Sequence, residues 1–142
     1  MALLTPKFIM IHHSGTADTK SLSWGIIRKN HKAKYPSAPH PYHYGVEYIR
    51  SNQEILMGRM PDLKGAHCRS QSMNSKALGV CLVGNFDIKP PAKAQCEKAL
   101  DLVRLLMKQY NIPSIKVIGH RNVKKTNCPG RFFDLGKFRS EL

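Results

Sequence analysis

The chain has 142 residues, of which 42% are hydrophobic and 8% aromatic, and its formal net charge is +14. This length predicts one domain, residues 1–142, with its own hydrophobic core, and no apolar run approaches the roughly 20 residues of a bilayer-spanning helix. The excess of basic residues predicts a polyanionic partner: nucleic acid, an anionic membrane surface or an acidic wall polymer. The alternative is that the basic residues only keep the surface solvated.

The N-terminal segment MALLTPKFIMIHHSG lacks the form of a secretory signal peptide. It has no basic region before its short apolar run, and a histidine pair stands where a cleavage site would be expected. We therefore expect a cytoplasmic protein. Thiols in that compartment stay reduced, so we expect no disulfides among the four cysteines, which are Cys68, Cys81, Cys96 and Cys128.

Hydrophobic periodicity predicts alternating strands and helices along the chain. Strands are predicted at residues 7–14, 42–51, 53–60, 77–86 and 114–120, with a hairpin turn at Ser51 and Asn52. Helices are predicted at residues 21–35, capped by Ser21 or Ser23, at residues 89–112, and as a short segment at the C-terminus. Strands separated by helices predict an α/β fold, in which a mixed central β-sheet of about five strands is flanked by helices. The run ALGVCLVGNF is the most apolar and is predicted to be the central strand.

Histidine and cysteine side chains, which are suited to metal binding, fall near the predicted strand ends. His12 or His13 ends the first strand, His120 ends the last, and Cys128 follows eight residues later. If the two strands share a sheet, their ends converge and the loop after His120 can return Cys128 to the same point. Two imidazoles and one thiolate suit Zn²⁺, and three protein ligands leave a fourth position open for water. The alternative is an incidental pair, a surface histidine and an ordinary thiol, since the spacing is not that of a zinc finger.

Five segments carry a resemblance to a known family. In chain order they are IMIHHSGT, PYHYGVEYI, KGAHC, NSKALGVCLVGNF and GHRNVKKTNCPG. Together they resemble the zinc-dependent N-acetylmuramoyl-L-alanine amidases, the group that contains amidase-type bacteriophage lysozymes and the peptidoglycan recognition proteins. The resemblance covers roughly residues 8–130, nearly the whole chain, and it implies the amidase fold.

The resemblance implies a role for six residues. The family's metal ligands align with His12, His120 and Cys128. Tyr42 aligns with the tyrosine near the metal-bound water, and Thr126 aligns with a catalytic position that is lysine in the phage lysozymes and often threonine in the recognition proteins. His67 aligns with a histidine that lines the substrate groove. His13 takes a variable position, and strand alternation points it away from His12.

Two loop positions depart from the family's pattern. Pro41 stands where the family usually has glycine before the tyrosine, and Ser51-Asn52-Gln53 replaces an Asp-Gly turn. Both changes are expected to alter loop shape more than chemistry.

The resemblance implies hydrolysis of the amide between the lactyl group of N-acetylmuramic acid and L-alanine in peptidoglycan. A phage or prophage endolysin that reaches the wall after release is the leading hypothesis. A cytoplasmic amidase that recycles anhydro-muropeptides and a non-catalytic peptidoglycan-binding module are the alternatives, although the retained Cys128 argues against the latter. No glutamate is placed as an obvious base, which favours a tyrosine-assisted amidase over a glutamate-dependent metalloprotease.

The amidase hypothesis also explains the net positive charge of the chain. Peptidoglycan and its attached wall polymers are anionic, so a basic protein meets them faster and is retained on them. Nucleic acid is the weaker hypothesis, because a low aromatic content offers few platforms on which bases can stack. We expect a monomer.

Overall fold

The structure, a computed structural model, describes residues 3–15 and 22–142. In that part of the chain the strands and helices are β1 (Phe8–His13), α1 (Trp24–Lys34), β2 (Tyr44–Ile49), β3 (Asn52–Met57), β4 (Ala77–Leu82), α2 (Lys93–Tyr110), β5 (Val117–Gly119) and α3 (Leu135–Ser140). Short 3₁₀ helices lie at Ser70–Ser75, Ser114–Lys116 and His120–Asn122. The predicted α/β fold, a mixed sheet of five strands with flanking helices, is confirmed. No helix in these two ranges is long and apolar enough to cross a membrane.

The five strands form one sheet in the order β3-β2-β4-β1-β5. The pairs β1–β4, β1–β5 and β2–β4 are parallel, and only β2–β3 is antiparallel. The central strand is β4, as predicted, and all six of its residues are buried. Because β1 and β5 are parallel neighbours, their carboxyl ends lie at the same edge of the sheet, where ligand sites of open α/β sheets commonly form. This topology places the end of β1 beside the residue that follows β5.

The two faces of the sheet carry different side chains. On one face Ile9 and Ile11 of β1 join the main core, which includes α2 and the C-terminal segment around Phe133. On the other face Met10 packs in a smaller cluster with Cys68, Met73 and Ala77. Alternation along β1 therefore puts His12 on the face opposite α2, the face that carries the smaller cluster.

The hairpin turn lies one residue earlier than predicted. Ile49 pairs with Asn52, so Arg50 and Ser51 are the two central residues of the turn and Asn52 begins β3. Arg50 and Ser51 have φ values of 49° and 75°, the left-handed pair that a two-residue hairpin needs to match strand twist. Neither residue is glycine or asparagine, so the composition of the segment gave no signal at these two positions.

Element ends also differ from the prediction where local chemistry intervenes. The last strand is only Val117–Gly119, because 3₁₀ turns occupy the residues on either side. Helix α2 begins after the two prolines at Pro90 and Pro91 and ends at Asn111, which adopts a left-handed conformation with φ of 55°. Helix α1 is capped by Ser23, whose hydroxyl accepts from the Ile26 N–H, and the alternative cap Ser21 lies outside the described residues.

Candidate metal centre

The structure brings three predicted ligands together at the carboxyl edge of the sheet. One ligand atom from each of His12, His120 and Cys128 lies within 4.8 Å of the others. The Cys128 sulfur is 3.6 Å from His12 Nδ1, and the two imidazole centroids are 4.7 Å apart. Residues separated by 116 positions thus meet because β1 and β5 are neighbours and the loop after β5 folds back.

Arg121 holds that returning loop in place. Its backbone N–H donates to the Cys128 carbonyl at 2.8 Å. Its guanidinium donates to the carbonyls of Gly130 at 2.7 Å and Phe133 at 2.9 Å. The Thr126 hydroxyl accepts from the Cys128 N–H at 3.2 Å. The position of the Cys128 sulfur is therefore set by a hydrogen-bonded loop.

The donor set fits a zinc ion. His120 Nε2 is buried and has no hydrogen-bond partner among the described residues. A buried ring nitrogen without a partner is costly, and a cation at this position would accept its lone pair. Two nitrogens and one sulfur suit Zn²⁺, and three protein ligands leave a fourth tetrahedral position free. His12, His120 and Cys128 are the residues that would hold the ion.

Burial prepares the imidazoles as ligands and keeps the thiol protonated. Burial, with His67 and His120 nearby, lowers the pKa of His12 well below its ordinary 6.5. Burial, together with Lys124, lowers the pKa of His120. Burial raises the pKa of Cys128 to about 12, against an opposing hydrogen bond from the His13 backbone. Both rings are therefore neutral near pH 7, and a metal ion has to displace one proton, that of the thiol.

Tyr42 lies beside this group, two residues before β2. Its ring centroid is 5.0 Å from that of His12, and it also stacks towards Trp24 at 6.4 Å. Burial raises the pKa of Tyr42 well above 10, and a hydrogen bond with Cys81 contributes in the same direction. The phenol thus stays protonated and can act as a hydrogen-bond donor, which suits it poorly to act as a base.

His67 touches the metal-binding group directly, a contact that the sequence did not predict. Its Nδ1 is 2.9 Å from His12 Nε2, and its Nε2 is 3.0 Å from the Ala77 carbonyl oxygen. Burial and the neighbouring His43 lower the pKa of His67 to about 3, so the ring is neutral. The segment around His67 is a loop, so no spacing rule could indicate this contact.

A groove of about 860 Å³ opens beside the centre. His67 and His120 line it. Among the described residues, the lining also contains five basic side chains and no acidic one: Lys34, Arg59, Lys64, Arg69 and Lys124. Arg59 binds backbone carbonyls, including that of His40 at 2.9 Å, whereas the four other basic residues are exposed. The groove therefore favours a ligand with negative charge.

The remaining candidates lie outside the ligand group. His13 lies on the other face of β1, where its Nδ1 accepts from the Phe86 N–H at 3.1 Å. The Glu47 carboxylate accepts from the Trp24 N–H. Within residues 3–15 and 22–142 no carboxylate joins the three ligands.

Two further histidines, His40 and His43, support the segment that carries Tyr42. His43 Nδ1 accepts from the Gly79 N–H at 2.9 Å, and its Nε2 lies 2.7 Å from the Leu63 carbonyl. His40 stacks on Trp24 with ring centroids 3.7 Å apart. The hydrogen bonds of His43 tie the loop at Leu63 to β4, and the stacking of His40 on Trp24 ties the loop before Tyr42 to α1.

Comparison with known proteins agrees with this architecture. Residues 2–131 match the family model described as N-acetylmuramoyl-L-alanine amidase, and the chain belongs to that family. An endolysin of Klebsiella phage KP32 is 32% identical over 137 residues, which cover 92% of this chain and 83% of that protein. Peptidoglycan-recognition protein SD of Drosophila melanogaster is 28% identical over 130 residues, covering 88% of this chain and 67% of that protein.

Solved structures show the same fold. The N-acetylmuramoyl-L-alanine amidase LysC from Clostridium intestinale superposes with a TM-score of 0.82 at 26% identity, covering 99% of this chain and 89% of that one. The endolysin of Thermus scotoductus bacteriophage Ph2119 superposes with a TM-score of 0.71 at 25% identity, covering 96% and 84% of the two chains. The fold is therefore shared with phage endolysin amidases and with peptidoglycan recognition proteins.

Proposed function

We propose that the protein is a zinc-dependent N-acetylmuramoyl-L-alanine amidase that hydrolyses the lactyl–L-alanine amide of peptidoglycan. The observation that carries the proposal is the convergence of His12, His120 and Cys128 within 4.8 Å, on an edge that opens into a basic groove. Retention of all three donors favours catalysis over simple peptidoglycan binding, because a binding module has no need of an open metal site.

The chain's own residues supply binding, orientation and charge stabilisation. A zinc ion at this site would polarise the scissile carbonyl and lower the pKa of a coordinated water to about 7. Tyr42, kept protonated by burial, donates a hydrogen bond to the negative charge that develops on the carbonyl oxygen. Thr126 would add a second donor, because its hydroxyl oxygen accepts from the Cys128 N–H and its proton remains available. Lys64, Arg69 and Lys124 attract the carboxylates of the stem peptide.

The test compares the metal-free and zinc-loaded full chain on purified peptidoglycan. We expect loss of turbidity and release of stem peptides only after zinc is restored. Zinc-loaded protein that binds walls without releasing peptide would overturn the proposal in favour of a non-catalytic recognition module.

We further propose a phage or prophage endolysin that is made in the cytoplasm, acts as a monomer and lyses bacteria from within after release. The 32% identity to a phage endolysin supports this choice. The net charge of +14 would retain the enzyme on anionic wall polymers, more strongly at low salt. An enzyme that recycles anhydro-muropeptides is the alternative, and it would prefer soluble anhydro-muropeptides to intact sacculi.

A further inference from the structure

The His67 ring connects the backbone of β4 to the metal-binding group through two hydrogen bonds. Its Nε2 lies 3.0 Å from the Ala77 carbonyl oxygen, and its Nδ1 lies 2.9 Å from His12 Nε2. His12 in turn directs its other nitrogen, Nδ1, towards the Cys128 sulfur at 3.6 Å. The atoms form one continuous chain from a backbone carbonyl to the ligand group.

The carbonyl at one end fixes the direction of every bond in this chain. A carbonyl oxygen only accepts, so the single ring proton of neutral His67 lies on Nε2. His67 Nδ1 then carries a lone pair and accepts from His12 Nε2, which must hold the ring proton of His12. His12 Nδ1 is left unprotonated, and this is the nitrogen that faces Cys128.

The position of the His67 ring is itself closely determined. A Cβ atom at Gly65 would lie 2.5 Å from His67 Cδ2, and one at Gly79 would lie 2.7 Å from the same atom. The backbone N–H groups of His67 and Cys68 both donate to Asn74 Oδ1, at 2.7 Å and 2.8 Å. Two glycines thus make room for the ring, while Asn74 holds the backbone that carries it.

We propose that His67 is a positioning residue that fixes His12 in the tautomer with its proton on Nε2, so that Nδ1 is offered to the metal ion. The inference rests on the zinc site of the proposed function, and it assigns His67 a task separate from the substrate contact that the family resemblance implies. Ligand histidines commonly need such a partner for the nitrogen that does not bind the metal.

The first test reads the tautomer directly in the metal-free full chain. Two-bond ¹H–¹⁵N correlation spectra at pH 7.5 distinguish a protonated ring nitrogen from an unprotonated one. We expect His12 to show an unprotonated Nδ1 and a protonated Nε2, and His67 to show the same pattern. A His12 ring protonated on Nδ1, or an even mixture of tautomers, would overturn the proposal.

The second test measures zinc affinity by competition with a chelator. His67→Leu removes the acceptor, and we expect it to weaken zinc binding by about 10- to 100-fold. His67→Asn keeps an acceptor oxygen near the place of Nδ1, and we expect it to restore affinity to within about threefold of wild type. His31→Leu, which removes another groove histidine without touching His12, serves as the control and should leave zinc affinity unchanged.

Equal zinc affinity in wild type and a folded His67→Leu variant would contradict the proposal. If His67→Leu does not fold, the proposal is tested by the spectrum of the wild-type protein and by the zinc affinity of His67→Asn. Both readouts are independent of amide hydrolysis. A wild-type protein that shows the expected tautomer and binds zinc, but releases no peptide, would therefore contradict the proposed function alone.

Discussion

At the scale of single residues, the proposed function assigns the task of holding a metal ion and that of stabilising charge to different residues. His12, His120 and Cys128 offer one donor atom each within 4.8 Å. Tyr42 packs against His12 but has its pKa raised well above 10 by burial, so it supplies a proton donor and no competing anion. The two kinds of residue should respond differently to substitution.

Replacement of Cys128 should remove the metal ion. In Cys128→Ser a hard hydroxyl, which does not ionise readily, replaces a sulfur ligand. We expect zinc affinity to fall by at least about 100-fold, more than changes around the ligands usually cause, and activity to fall with it. The measurement is zinc content after dialysis together with peptide release. Stoichiometric zinc with near-wild-type turnover in this variant would exclude Cys128 as a ligand.

Replacement of Tyr42 should leave the metal ion and slow the reaction. Tyr42→Phe keeps the ring packed against His12 and removes only the hydroxyl donor. We expect unchanged zinc affinity and a kcat that is lower by at least about tenfold, as for loss of a donor to a developing oxyanion. Tyr48→Phe, at an exposed position of β2, is the control. Unchanged kinetics in Tyr42→Phe would make Tyr42 a packing residue.

At the scale of elements, sequence patterns predicted the sheet but not the polar contacts that complete it. The short apolar run of β1 and the longer apolar run of β4 were sufficient to predict both strands. The alternation of side chains along a strand pointed His13 away from His12. The contact of His67 with His12 depends on the path of a loop, and a loop has no hydrophobic periodicity from which its path could be predicted. The hairpin turn was predicted one residue too late, at Ser51 and Asn52, because neither Arg50 nor Ser51 favours a positive φ.

Gln95 on helix α2 is another polar contact that sequence patterns did not predict. The burial of this side chain was not predicted from the sequence, because a polar side chain normally faces solvent. In the structure it is only 5% exposed, and its amide donates to the carbonyls of Val46 at 3.1 Å and Val83 at 2.9 Å. Gln95 thus ties α2 to β2 at Val46 and to Val83, the residue that follows β4.

Loss of this amide should therefore destabilise the fold. Gln95→Leu removes the amide donor from the Val83 carbonyl and one of two donors from the Val46 carbonyl, which also accepts from the Val83 N–H. We expect the free energy of unfolding to fall by about 1–3 kcal/mol. Urea denaturation of the metal-free protein measures this change in the free energy of unfolding. Gln109→Leu, on an exposed turn of the same helix, should change stability by less than about 0.5 kcal/mol. Equal stability of the two variants would contradict the role assigned to Gln95.

At the scale of the whole molecule, the fold combines a strongly basic surface with an interior rich in neutral histidines. His12, His40, His43 and His67 are all buried, and burial lowers the pKa of each. A histidine with a lowered pKa binds a proton more readily in the unfolded chain than in the folded one. The molecule should therefore be stable at neutral pH and sensitive to mild acid.

The lowered pKa of His43 allows the loss of stability in mild acid to be estimated. Its pKa is lowered to about 4 by burial, so its contribution is complete above pH 6.5 and is lost as the pH falls towards 4. Between pH 7.5 and 5 this one residue should reduce the free energy of unfolding by about 2 kcal/mol. Urea denaturation of the metal-free protein at both pH values measures the loss, and His43→Gln should reduce the dependence. Equal stability at pH 7.5 and 5 would contradict the assignment.

The central claim is that three distant side chains hold a zinc ion with which the chain cleaves one amide bond of peptidoglycan. Mass spectrometry of the products from a muropeptide of defined structure tests it most directly, using zinc-loaded, metal-free and Cys128→Ser protein. The account predicts a free lactyl carboxylate and a stem peptide with an N-terminal L-alanine, formed by the zinc-loaded wild type alone. Cleavage at any other bond, or equal cleavage by the metal-free protein, would contradict it.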